Sequence, residues 1–94
     1  MKKVLIIEND LDTLEILGCI FEGINFIPLE SQFRVPIDNI IKENPDLIVL
    51  DYYLDDCCGS EICAELKSNL LTKNISVIIL STARYPSDFE RLPR

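Results

Sequence analysis

Three short and almost purely apolar runs constrain this chain more than anything else in it. "KVLII" (3–7), "DLIVLD" (46–51) and "ISVIILS" (75–81) are rich in β-branched residues and show no polar alternation. Runs of that kind form strands buried on both faces, as in a parallel sheet. A weaker strand is predicted over "NFIPLE" (25–30), where Pro28 assigns it to a sheet edge. Between these runs the apolar period becomes helical. "LDTLEILGCIFEGI" sets Leu11, Leu14, Leu17, Ile20 and Phe21 on one face, with Ile16 filling in. Asp10 or Asp12 suits its start and Gly23 its end. "VPIDNIIKEN" groups Ile37, Ile40 and Ile41, and Pro45 blocks its continuation. "SEICAELKSNLL" carries Ile62, Leu66 and Leu70 at i, i+4 and i+8. The tail, "ARYPSDFERLPR", has Ser87 and Glu90 at capping-box spacing for one helical turn. The order β-α-β-α-β-α-β predicts an α/β fold, a parallel sheet covered on both faces and joined by right-handed crossovers.

At 94 residues this is one domain, with a single core and little stability to spare. A net charge of −7 argues against a nucleic-acid partner, which calls for a basic patch. No apolar run reaches the roughly 20 residues of a membrane span, and "MKKVLIIEND" is too short in apolar residues for a secretory leader. A cytoplasmic chain with its four cysteines as free thiols is the expectation.

Ligands of open parallel sheets sit at the carboxyl ends of the strands. Glu8, Asn9 and Asp10 end the first strand, Asp51 the third and Ser81 the fourth, so all gather at that edge. Asp51 by itself has a plainer reading, as a strand end that caps the next turn. The convergence of several elements favours a site for Mg²⁺, a hard cation that takes one or two carboxylates and keeps several waters. A carboxylate beside such a cation is placed to attack a phosphoryl group.

"KVLIIENDLDTLEIL", "PDLIVLDYYLDDCCGSEICAELK" and "VIILSTA" resemble the signature blocks of response-regulator receiver domains, the phospho-accepting modules of two-component signalling. The likeness spans residues 2 to about 83. It implies a flavodoxin-like three-layer sandwich with strands in the order 2-1-3-4. It also implies that Asp51 accepts the phosphoryl group and that Ser81, thirty positions on, hydrogen-bonds it. Glu8, Asn9, Asp51 and the Tyr53 carbonyl are the implied Mg²⁺ ligands, and Gly59 matches the glycine of the loop after the acceptor. A histidine kinase or phosphotransfer protein is the implied partner. The module is not an enzyme in the ordinary sense, although receivers catalyse their own phosphorylation.

Departures from the family pattern weaken that reading. Asn9 stands where a second carboxylate is usual, which lowers the expected affinity for Mg²⁺, with Asp10 as a partial substitute. Asp55 stands at a common proline position, and Thr82 where a smaller residue admits the phosphoryl group. The family's fifth strand, fifth helix and phosphoryl-pairing lysine would fall beyond Arg94, and none of Lys67, Lys73, Arg84 or Arg91 matches that lysine. Without those elements, strand 4 is an edge that invites pairing, and Leu17, Ile20 and Phe21 of helix 1 form an apolar patch. A homodimer through strand 4, helix 1 or both is therefore expected. The alternative is a pseudo-receiver, a phosphorylation-independent interaction and dimerisation domain.

Other chemistries fit less well. A haloacid-dehalogenase-type phosphohydrolase needs a second Asp at position 53, which is Tyr. No G-x-G-x-x-G follows the first strand, against a dinucleotide site. With neither His nor C-x-x-C, structural zinc is disfavoured. Cys19 and Cys63 are expected in the core. Cys57 and Cys58 make a redox switch conceivable, but nearby acids oppose the thiolate. Tyr52 and Tyr53 are expected as one packed and one exposed loop residue.

Overall fold

The computed structural model describes residues 2–54 and 57–81. The strands are β1 (Lys2–Ile7), β2 (Phe26–Ser31), β3 (Leu47–Asp51) and β4 (Ser76–Leu80), and the helices are α1 (Leu11–Gly23), α2 (Ile37–Glu43) and α3 (Gly59–Lys67). The strands form one sheet in the order β2-β1-β3-β4, every pair parallel. Among the described residues no helix is long and apolar enough to cross a membrane. The tail turn expected at Ser87 to Glu90 lies outside the described residues, as do Asp55, Thr82, Arg84 and Arg91.

The unalternating β1 and β3 are buried on both faces, each of which has its own core, whereas β4, expected to be covered likewise, is only partly buried, with Ile78 and Ile79 exposed. Leu5, Ile7, Ile48 and Leu50 meet Ile40 of α2 and Ile62 and Leu66 of α3. On the opposite face Val4, Ile6 and Val49 meet Leu14 of α1, with Leu17, Phe21, Phe26 and Leu80 packed around them. Each fully buried Ile or Leu contributes about 1.5–3 kcal/mol relative to exposure. The central strands therefore carry most of the stability. Pro28 sits on β2, which is an edge as expected.

Local chemistry sets the helix ends. Asp10, rather than Asp12, is the N-cap of α1. Its Oδ2 accepts from Thr13 N at 3.0 Å and from Thr13 Oγ1 at 2.6 Å. Asn44 closes α2 in the left-handed region (φ 48°, ψ 60°), which Asn tolerates better than most residues. α3 stops at Lys67, short of the expected 71. Ser68 Oγ donates to Glu65 O, and Asn69 Oδ1 accepts from Leu71 N at 2.8 Å, so these side chains divert the backbone into a turn. Leu70 is thereby 79% exposed rather than on the α3 core face.

Two further expectations are corrected on α1. Leu17 and Phe21 pack against the core instead of forming an outer patch. Ile16, Cys19 and Ile20 are exposed, so Cys19 is not a core residue. The sheet covers only a narrow arc of the helix, centred on Leu14 and Gly18.

Candidate functional site

β1 and β3 are neighbours with Ile7 opposite Leu50, so one further residue brings Glu8 and Asp51 side by side at the carboxyl edge. Both are nearly inaccessible, at 3% and 1% exposure. Backbone bonds continue the ladders past the strand ends and hold these residues in line. Glu8 N donates to Ser31 O at 3.0 Å, and Tyr52 N donates to Leu80 O at 2.8 Å. β4 pairs Leu80 with Asp51, which places Ser81 one residue past the same edge, exposed to solvent.

The loop after Asp51 turns back on itself. Leu54 N donates to Cys57 O, Gly59 N donates to Tyr52 O at 2.9 Å, and Tyr53 bridges Cys58. Tyr53 N also donates to Asp51 Oδ1 at 3.1 Å, which orients the carboxylate. This close return requires glycine at the start of α3. A Cβ on Gly59 would stand 2.7 Å from Asp51 O and 3.1 Å from Tyr52 Cα. Tyr52 and Tyr53 are both half-buried, unlike the expected packed-and-exposed pair, because their rings meet edge to face at 4.9 Å.

Other expected residues have mixed outcomes. Asn9 is half-buried, and its backbone carbonyl accepts from Gln32 Nε2 at 3.3 Å. Asp10 serves the α1 cap, so its substitution for the missing second acid competes with that role. Lys67 Nζ donates to Ile75 O at 2.7 Å and Lys73 O at 3.2 Å, at the amino end of β4 and so opposite the acid edge. Cys57, Cys58 and Cys63 are half-buried.

Arg34, which is not among the expected site residues, lies on the loop that follows β2. Its Nη2 donates to Glu65 Oε1 at 3.2 Å. That hydrogen bond raises the guanidinium pKa above its ordinary value, aided by the charges of Glu65, Cys57 and Glu61. A cation on the loop after the edge strand carries no motif, so only its place in the fold reveals it. A shallow recess of about 620 Å³ opens on α1, lined by Asp12, Glu15, Ile16, Cys19 and Ile20, and includes none of the expected site residues.

Solved structures match this fold over most of the chain. A signal receiver domain of a signal transduction histidine kinase from Syntrophus aciditrophicus superposes with a TM-score of 0.74 at 26% identity, covering 97% of this chain and 70% of that one. The chemotaxis response regulator CheY4 of Vibrio cholerae gives 0.80 at 16% identity, over 96% and 76% respectively. The fold is that of a response-regulator receiver domain. In sequence, the phosphate regulon transcriptional regulatory protein PhoB of Escherichia coli is 29% identical over 84 residues, 88% of this chain. The chain spans about a third of that relative's length (36%). No family model matches the chain. As in other receiver folds of this order, the acid-bearing strand ends stand at the centre of the sheet, where β1 and β3 adjoin.

The residues at this edge fit a magnesium ion in kind. The donors Glu8, Asp51, Asn9 and the Tyr53 carbonyl are all oxygens, and two are buried carboxylates on adjoining strand ends. Among the described residues no group of three or more His, Cys, Asp or Glu gathers as a metal site. Such a site therefore depends on the Asn9 amide and the Tyr53 carbonyl to complete the protein's share.

Proposed function

We propose that this chain is the receiver module of a two-component phosphorelay, with Asp51 as a weak phosphoryl acceptor. The observation that carries this reading is the burial of Glu8 and Asp51 together at the carboxyl edge. Two like charges removed from water are costly unless a cation or hydrogen bonds offset them. The donor is a phosphohistidine on a histidine kinase or phosphotransfer protein. An Asp51 oxygen attacks phosphorus, the P–N bond breaks, and its electron pair returns to the imidazole nitrogen, which takes up a proton. An acyl phosphate remains on Asp51. The Tyr53 N–H orients the attacking carboxylate, and the Ser81 hydroxyl donates to a phosphoryl oxygen. Glu8, Asn9, Asp51 and the Tyr53 carbonyl would hold Mg²⁺, which would supply positive charge beside the phosphoryl oxygens.

The amide at Asn9 and the engagement of Lys67 at the opposite edge support a second reading. In it the module is a phosphorylation-independent interaction domain. Intact mass after incubation with acetyl phosphate and Mg²⁺ separates the two. The first reading expects one added phosphoryl group, absent without Mg²⁺ and in Asp51→Asn. A folded protein that gains no mass refutes the first reading and supports the second.

A further inference from the structure

The turn that follows β2 is tied to the turn that follows β1. Ser31 lies opposite Ile7 in the ladder, so Gln32 comes level with Glu8 and within reach of Asn9. Ser31 closes its turn with its own side chain. The Oγ donates to Phe33 O at 2.6 Å and accepts from Phe33 N at 3.1 Å, with Gln32 held between the two. Gln32 is half-buried there, and its Nε2 donates to Asn9 O at 3.3 Å. A backbone bond runs beside it, from Glu8 N to Ser31 O at 3.0 Å. Past Asn9, the Asp10 side chain caps α1, and Asp10 O accepts from Leu14 N at 2.9 Å. Peptide groups are planar, so the Gln32 bond restrains the whole unit that leaves Asn9. Asn9 is thus set between a ladder that ends at Glu8 and a helix cap at Asp10.

We propose that Gln32 is a positioning residue that presents the Asn9 amide to Mg²⁺, an inference that rests on the reading of the acid edge as a Mg²⁺ site. A carboxylate attracts a divalent cation through its charge over several ångströms, whereas a neutral amide oxygen contributes only when it is in place. Mg²⁺ also demands near-ideal octahedral geometry. With Asn at position 9 the site gives up long-range attraction and depends on placement, which Gln32 supplies. A neutral donor suits the position, since an ammonium group there would set a positive charge against the incoming cation. Gln32 acts through Asn9 and touches neither the metal nor the phosphoryl group.

Mg²⁺ titration of the chain, followed by fluorescence of Tyr52 and Tyr53 beside Asp51, tests this as a double-mutant cycle. Gln32→Met keeps the length of the side chain and removes the donor, Gln32→Ala removes both, and Asn9→Ala removes the ligand. Circular dichroism confirms that each variant folds. The expected result is an affinity about threefold weaker in either Gln32 variant, the scale of one modest hydrogen bond. No further loss is expected when Gln32→Met is added to Asn9→Ala. An unchanged affinity in both Gln32 variants overturns the proposal. So does an equal loss in the Asn9→Ala background, because Gln32 then supports the loop as a whole rather than the amide. Both of those results leave the Mg²⁺ site standing. A folded wild type that binds no Mg²⁺ overturns the site and this proposal together.

Discussion

Gly59 offers the sharpest test of how the fold shapes the acid edge. Its φ is not positive, so conformational freedom does not explain the residue, and space must. In Gly59→Ala the new methyl meets Asp51 O at 2.7 Å, Tyr52 Cα at 3.1 Å and the Asp51 carbonyl carbon at 3.2 Å. All three are backbone atoms that cannot rotate away. Overpacking of this kind costs about 1–3 kcal/mol. Alanine returns up to about 1 kcal/mol by restricting the unfolded chain and favouring helix. The net is a loss of about 1–2 kcal/mol, which lowers Tm by roughly 5–15 °C in a domain of this size. Gly23→Ala is the control. It closes α1, its φ is not positive either, and a Cβ there meets nothing within 4 Å. That variant is expected to match the wild type or exceed it by up to about 1 kcal/mol. Urea and thermal unfolding followed by circular dichroism measure both. If the two variants shift stability equally, or Gly59→Ala costs nothing, the close approach of α3 to the Asp51 backbone is not real.

Two further outcomes are expected. Asn9→Asp adds a carboxylate to the acid edge, and its attraction for a divalent ion about 4 Å away is about 2 kcal/mol even at the dielectric of water. Mg²⁺ should bind roughly tenfold more tightly after repulsion from Glu8 and Asp51 is counted. Titration followed by tyrosine fluorescence reads this, and an unchanged affinity would exclude Asn9 from the metal's surroundings. Thr72 is fully buried, and its Oγ1 donates to Leu66 O at 2.6 Å. Thr72→Val keeps the shape and removes that bond, so it should cost about 1 kcal/mol in urea unfolding, and a stabilised variant would show the bond to be dispensable.

The element order and the acid-bearing strand ends were legible because they rest on local chemistry. Apolar runs without alternation marked β1 and β3 as strands covered on both faces and Pro28 marked an edge strand, but the equally apolar β4 is only partly covered. Asp51 follows Leu47–Leu50 in sequence, so its place at the strand end needs no tertiary information. Glu8 follows Val4–Ile7 in the same way. Periodicity alone could not say which arc of α1 the sheet would cover. Leu11 and Ile20 fit the apolar pattern as well as Leu14 does, yet they are 51% and 54% exposed. The span of α3 was overread because Ser68 and Asn69 end it through turns that compete with a still-apolar sequence, and Lys67 and Thr72 then tie that turn down.

The sequence by itself determined that four strands and three helices alternate and that carboxylates close the central strands. Hydrophobic pattern and turn chemistry are local and act through neighbours along the chain. Only the tertiary structure decided that Glu8 and Asp51 are buried side by side, that Gly59 presses against the Asp51 backbone, and that Arg34 pairs with Glu65 of α3. Those facts depend on strand order and on the packing of α3 across the sheet, which bring together residues far apart in sequence.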